Sequence, residues 1–232
     1  MTTVLGVDVC PGGWVGVELR DGRFASAHVG TRLNELIGKV PDAVIIGVDM
    51  PLGLVDSGER DADRVVKRKL GQRSSSLFVM PPRPVFDELN HPAASARCKA
   101  LTGKGLSIQA WGLKAKLLDA NALYDNDALP LREIHPELSF LELGLVHVDG
   151  GKKIWRGQRA RLRVLEAAGI YLPEDLGQAV ARVPADDVLD AAAAAWTAHR
   201  IAHDVAECLP DPPQRTDRGQ SIAIWYSPRH RN

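Results

Sequence analysis

The chain has 232 residues, 29 basic and 29 acidic side chains, 45% hydrophobic residues and 5% aromatics, which is the balance of an ordinary globular protein. That length suits one large domain or a domain carrying an insertion, and the composition excludes repeat arrays, collagen and bulk disorder. A net charge of zero gives no whole-molecule field for nucleic acid or anionic lipid, so a polyanion would have to be held by a local basic patch.

No apolar run reaches the ~18 residues of a membrane helix, and Met1-Thr2-Thr3-Val4 lacks the basic and apolar parts of a secretory signal. The expectation is a cytoplasmic protein with no membrane partner. Cys10, Cys98 and Cys208 are odd in number, widely spaced and outside any CxxC pair, which predicts reduced thiols rather than a disulfide framework or a zinc site.

In chain order, residues 3–9 form an apolar, β-branched run that ends at the turn signal Pro11-Gly12-Gly13. Strands are predicted at Trp14–Leu19 and, after the Asp21-Gly22 hairpin signal, at Arg23–Val29. Thr31 is placed to cap a short helix through Val40, and Ala43–Val48 reads as a buried central strand. From Gly53 to about Asn90, charged residues, serines and prolines replace the apolar runs, with a helix predicted at Arg60–Leu70. Helices follow at Ala93–Leu101 and Ser107–Tyr124, a strand at Leu131–Ile134, and helices at Gln158–Ala168 and Glu174–Ala181. Asp186–Cys208 is the clearest helix, Ala-rich and preceded by Pro184. Ser221–Tyr226 reads as an edge strand and Ser227–Asn232 as a frayed tail. The order predicts an α/β fold: a three-strand antiparallel meander plus parallel strands, flanked by helices, in one domain spanning 1–232 with a candidate helical insertion at 53–130.

Two aspartates each end an apolar strand: Asp8 in Val-Asp-Val-Cys and Asp49 in Gly-Val-Asp-Met-Pro. A carboxylate in a buried strand is costly unless it is paired, hydrogen-bonded or bound to a cation. Asp186, Asp187 and Asp190 open the long helix, where Asp187 and Asp190 share a face with the small residues Ala191 and Ala194. Helix capping and the dipole account for Asp186 and in part for Asp187, but Asp190 lies too far into the helix for that role. If this helix packs on the sheet, its carboxylates meet Asp8 and Asp49, and such a cluster of oxygen donors calls for Mg²⁺ or Mn²⁺.

Gly6-Val7-Asp8 with Gly13-Trp14, Asp49-Met50-Pro51-Leu52-Gly53, Gly71-Gln72-Arg73-Ser74-Ser75-Ser76, Pro81-Pro82-Arg83, His135-Pro136-Glu137, Lys152-Lys153 and Asp187-Val188-Leu189-Asp190-Ala191 together resemble the predicted RNase H-like nuclease family catalogued as a domain of unknown function, DUF429. The resemblance spans nearly the whole chain. It implies an RNase H-like fold distantly similar to Holliday-junction resolvases, which also carry an Asp-x-x-Asp-Ala element on the last helix. On that likeness Asp8, Asp49, Asp187 and Asp190 are the metal ligands and catalytic carboxylates of a metal-dependent phosphodiester hydrolase, working by a two-metal mechanism. Aspartate at 49, where the best-known resolvases use glutamate, has a shorter reach and puts the second ion in question.

His135-Pro136-Glu137 offers Glu137 as a further catalytic carboxylate, either an extra metal ligand or a substrate contact, and His135 as a proton carrier. The structural alternative makes Pro136 the first turn of a helix, with Glu137 facing its N-terminus. Arg64–Arg83 and Lys152–Arg163 each hold six basic residues and no acidic one. Within them Arg73, Ser75, Arg83, Lys152, Lys153 and Arg159, together with His135, are the candidate substrate-binding residues, since local Lys and Arg clusters suit a phosphate backbone. Trp14, Trp111 and Trp155 could stack on bases, although a core role is expected for most of them.

The leading expectation is therefore a nuclease acting on DNA or RNA. Its rivals are a catalytically inactive nucleic-acid or protein-binding module of the same fold, and an actin-like phosphotransferase or ATPase. The last requires a second phosphate-binding Asp-x-Gly-Thr loop, which the sequence lacks. A symmetric dimer would suit junction cutting, though no interface pattern stands out.

Overall fold

The computed structural model describes residues 1–229. In chain order its elements are β1 (Thr3–Cys10), β2 (Gly13–Arg20), β3 (Arg23–Gly30), α1 (Leu33–Ile37), β4 (Ile45–Val48), α2 (Asp61–Leu70), α3 (His91–Thr102), α4 (Ile108–Gly112), α5 (Lys114–Asp125), β5 (Leu131–Ile134), α6 (Pro136–Leu143), α7 (Trp155–Ala167), α8 (Ala185–Ala202), β6 (Glu207–Arg215) and β7 (Ser221–Tyr226). Short 3₁₀ helices occupy Gly71–Ser76, Arg83–Asp87 and His147–Asp149. The strands form a seven-stranded mixed sheet in the order β3-β2-β1-β4-β5-β7-β6. No described helix is long and apolar enough to cross a membrane.

The chain divides into two compact units. The first holds Met1–Met50, Leu129–Glu207 and the residues from Trp225 onward. Its antiparallel meander β1-β2-β3 turns tightly at Asp21-Gly22, both at positive φ (48° and 78°), as a two-residue hairpin of this hand requires. β4 then pairs parallel to β1, and β5 parallel to β4. Helix α8 lies across β1 and β4, and the reason is steric. Gly6 and Gly47 are register partners, and a Cβ on Gly6 would overlap Ala195 N and Ala191 O. A Cβ on Gly47 would sit 2.9 Å from Ala194 O. Ala191–Ala195 and Ala198 are fully buried against this strip, so small side chains on both partners let helix and sheet approach to backbone contact.

The second unit holds Pro51–Ala128 and Cys208–Ile224. Its irregular opening is fixed by buried polar ties. Arg60 Nη1 donates to Asp63 Oδ1 at 2.8 Å and Arg60 Nη2 to Leu52 O at 3.1 Å, while Asp63 Oδ2 accepts from Met80 N at 2.8 Å. Buried Asn121 accepts from Gly53 N at 2.9 Å and donates to Pro51 O at 2.9 Å.

Several expected elements differ. Thr31 does not cap α1 by itself: its N–H and hydroxyl both donate to Glu35, at 2.9 and 2.8 Å, and the N-cap is Arg32. The helix expected over 107–124 breaks into α4 and α5 at Leu113, just after Gly112, where a residue without a side chain weakens the helix. Glu174–Ala181 is a series of turns, because Asp175 accepts from Gly177 N at 2.8 Å and Gly177 takes φ 88°, a local bond that competes with a helix. The last helix stops at Ala202, two residues before Asp204 at φ 56°, and Glu207–Arg215 becomes a strand despite Pro210, Pro212 and Pro213. β6 ends the sheet order, and an edge strand tolerates missing N–H donors; with β6 outside it, β7 (Ser221–Tyr226) is not the edge strand expected of that segment. Ser227 is buried and its Oγ accepts from Arg200 Nε at 3.0 Å, so the tail begins as fixed structure; residues 230–232 of that expectation lie outside the described residues.

Gly6→Ala is expected to destabilise the protein by about 4 kcal/mol or more, because helix backbone rather than a movable side chain occupies the space. Urea unfolding measures it, and a loss below about 1 kcal/mol would show that α8 is not held this close.

Candidate metal centre

The parallel pairing of β1 and β4 matches Val7 with Val48, so Asp8 and Asp49 lie side by side where the two strands leave their ladder. Asp49 N donates to Val7 O at 2.8 Å, which extends the register by one residue. Side chains two apart along a strand share a face, which puts both aspartates on the face of Gly6 and Gly47 that α8 covers. Asp190 immediately precedes Ala191, one of the residues packed on Gly6, and this hangs a third carboxylate over the first two. One oxygen from each of Asp8, Asp49 and Asp190 lies within 4.8 Å of the others. Asp8 and Asp190 are buried and Asp49 is half-buried.

The electrostatics follow from crowding like charges away from water. Burial, then Asp49 and Asp190, raise the Asp8 carboxyl well above its ordinary range. Burial, followed by the charge of Asp190, pushes Asp49 up to about 8. Asp190 is pushed up to about 6 by burial, against the pull of Lys152. Asp187, further out on α8 and half-buried, is raised to about 6 by burial and by Asp186.

Lys152 supplies the one direct cationic contact to this cluster among the described residues. Its Nζ donates to Asp190 Oδ2 at 2.5 Å. Burial disfavours its ammonium, but Asp190, Asp8 and Asp49 outweigh that and hold its pKa above the ordinary lysine range. The other oxygen, Asp190 Oδ1, is buried with no hydrogen-bond partner among the described residues. Three hard oxygen donors, one of them with an unsatisfied buried lone pair, fit a Mg²⁺ or Mn²⁺ ion.

Around this group the expected residues fall into three sets. His135 and Glu137 flank it at the start of α6, with Pro136 at the first helical position. Burial lowers His135 to about 4, against the raising effect of Glu137, and its Nδ1 is buried without a partner. Glu137 forms a buried ion pair with Arg161 of α7, yet its charge is still felt at Asp49 and Asp190. Lys153 is exposed and its charge lowers Asp187; Arg159 is exposed, its guanidinium 5.7 Å from the Trp155 ring centroid. Arg73, Ser75 and Arg83 belong to the second unit. There Arg73 and Ser75 lie in the Gly71–Ser76 turn, and Arg83 pairs with Asp125 at 3.0 Å.

Sequence reasoning missed two charged residues. Glu133 is 5% exposed in β5, and its charge raises Asp49. Its signal was an acidic residue inside the four-residue strand Leu-Arg-Glu-Ile. Arg161 is fully buried, hidden in the sequence among the exposed basic residues of the Lys152–Arg163 run.

The fold and site define an α/β protein with an acidic, oxygen-donor cluster where two parallel strands meet the last long helix. The family model described as "Protein of unknown function (DUF429)" matches residues 6–215, and the chain belongs to that family. No curated protein and no solved structure matches the chain.

The aspartates predict a specific pH response. Their folded pKa values lie above those of the unfolded chain, so the metal-free fold keeps protons that the unfolded chain releases near pH 4. Their contribution to stability is complete below that pH and is lost as pH rises through about 6 for Asp187 and Asp190 and about 8 for Asp49. His135, lowered to about 4, works in the opposite sense, but only below its unfolded value near 6.5. Between about pH 6.5 and 8.5 the melting temperature in EDTA should therefore fall, and millimolar Mg²⁺ should restore more of it at the upper end, since binding displaces protons. Calorimetric melting across that range tests this, and a Mg²⁺ effect independent of pH would refute it.

Proposed function

We propose that the protein is a metal-dependent nuclease that hydrolyses phosphodiester bonds of DNA or RNA, built on an RNase H-like arrangement of sheet and final helix. The observation that carries this reading is the carboxylate group of Asp8, Asp49 and Asp190, within 4.8 Å of one another, with Asp190 Oδ1 buried and unpartnered. The meander followed by parallel strands, with the aspartate-bearing α8 across them, supports the fold assignment.

Mg²⁺ or Mn²⁺ held by these three residues would supply Lewis-acid charge at a phosphoryl oxygen and acidify water. The chain's own residues do the rest. Asp8, Asp49 and Asp190 hold the donor oxygens at fixed spacing because backbone contact between α8 and the strands leaves them little freedom. Lys152 neutralises Asp190 while the cluster is empty of other cations, and once released from it can meet a non-bridging phosphate oxygen. Asp187 widens the acidic edge toward solvent. His135 is buried with its pKa lowered to about 4, so it is neutral at pH 7 and adds no positive charge that would repel an ion. Glu137, tied to Arg161, positions α6 against α7 and adds negative charge.

One observation favours the second reading, a binding module without catalysis: Lys152 already provides a cation at Asp190. Calorimetric titration of Mg²⁺ and Mn²⁺ separates the two. Asp8→Asn and Asp190→Asn should each weaken binding at least about tenfold. Lys152→Ala should tighten it several-fold by removing the internal competitor, while destabilising the metal-free protein by about 1 kcal/mol, a modest cost because the ammonium is partly exposed. Cleavage of DNA and RNA substrates should require the ion and disappear in both asparagine variants. Absence of metal binding at millimolar concentration, with Lys152→Ala no different, would favour the binding module.

A further inference from the structure

Helix α7 carries two opposed sets of side chains. Gly157, Ala160, Arg161 and Leu165 are buried, whereas Trp155, Arg156, Arg159 and Arg163 are exposed and fall within about 100° of helical arc. Trp155 is 76% exposed, unlike the fully buried Trp14, and Arg159 lies over its ring. No ion pair holds Arg156, Arg159, Arg163 or Lys153 among the described residues. The indole therefore offers an open aromatic face, and three guanidinium groups beside it make the surface strongly cationic.

The same face is joined to the acidic cluster by fixed structure. Arg161 Nη1 donates to Gly157 O at 3.2 Å and to Gly150 O at 3.4 Å, and a Cβ on Gly157 would overlap Gly151 O. The Gly150–Lys153 loop is thereby held against the first turn of α7. From it Lys152 reaches Asp190 at 2.5 Å and Lys153 acts on Asp187. Basic groups thus run from Arg163 through Arg159 and Trp155 to Lys153 and into the aspartates.

We infer that the exposed face of α7 is a single-stranded nucleic-acid track, with a base stacked on Trp155 and the backbone phosphates held by Arg156, Arg159, Arg163 and Lys153, leading to the Asp8-Asp49-Asp190 cluster. This rests on the nuclease reading and names its substrate class. An aromatic platform among basic groups suits unstacked bases, whose faces a duplex hides. A flat duplex-binding patch would need no exposed indole.

Binding of short oligo(dT) and oligo(U), and of a duplex of equal length, is measured in EDTA by anisotropy and by quenching of intrinsic tryptophan fluorescence. Single strands should bind more tightly than the duplex and quench the fluorescence. Trp155→Ala should weaken single-strand binding about tenfold or more and remove most of the quenching. Arg159→Ala and Arg163→Ala should each reduce the salt slope, log K against log [salt], by about 0.7. The preference between oligo(dT) and oligo(U) assigns DNA or RNA as the strand. Equal binding of single strands by wild type and Trp155→Ala would overturn the track, as would no binding at all. So would concentration-dependent dimerisation that Trp155→Ala abolishes, since the indole would then face a second copy, with exposed Val148 and Ile154 as its neighbours. Mg²⁺ titration reports the aspartates separately: metal binding without oligonucleotide binding removes the track alone, and oligonucleotide binding without metal binding removes the nuclease reading alone.

Discussion

The approach of α8 to β1 and β4 is the constraint from which the rest of the first unit follows. Two register-paired glycines, Gly6 and Gly47, remove the side chains that would hold a helix off the sheet, and the run Ala191–Ala195 removes them from the helix. Backbone then meets backbone, and the geometry has almost no slack. Asp8 and Asp49, two residues beyond the glycines, and Asp190, next to Ala191, inherit that precision. The alanine run has low side-chain entropy to lose and high helix propensity, so the element that must sit closest is also the one that forms most readily.

Crowding three carboxylates in this way opposes folding, and the molecule answers it in two directions. Burial first, and the neighbouring carboxylates after it, hold the carboxyl groups above their ordinary range, so protonation relieves part of the cost. The charge of Lys152 relieves another part at all three carboxylates, but its direct bond goes to Asp190 Oδ2 and leaves Oδ1 without a hydrogen-bond partner among the described residues. A site designed for stability alone would have paired that oxygen or replaced the aspartates with apolar residues. Such an imbalance at a fixed spacing is what a cation-binding site requires, because an ion bound to the three carboxylates would restore the free energy that crowding them costs.

The sequence made the aspartates legible through local signals alone. Asp8 and Asp49 interrupt apolar strands, and Asp190 sits beyond the reach of helix capping, so each is anomalous in its own element. Glu133 was less visible because Leu131–Ile134 is short and also contains Arg132, which reads as its natural partner. β6 was hidden by its prolines, whose cost depends on whether a strand is central or at an edge, and that is a property of the sheet rather than of the segment. The side of α7 that Trp155 and Arg161 take is likewise a property of packing rather than of residue type. Composition says that a tryptophan belongs inside and an arginine outside, but the helical phase of α7, fixed by Gly157 and Ala160 packing inward, reverses both.

That reversal ties the two faces of α7 together. Arg161 points inward, where its guanidinium holds Glu137 and also takes the carbonyls of Gly150 and Gly157. A lysine could not make these three bonds from one planar head group. The inward arginine therefore sets the loop that delivers Lys152 to Asp190, while Arg159 and Arg163, two residues away on either side and so on the opposite face, have no ion pair among the described residues. A single helix thus positions the cation already inside the acidic cluster and presents the cationic surface beside it, and both depend on the one buried residue whose charge is spent internally.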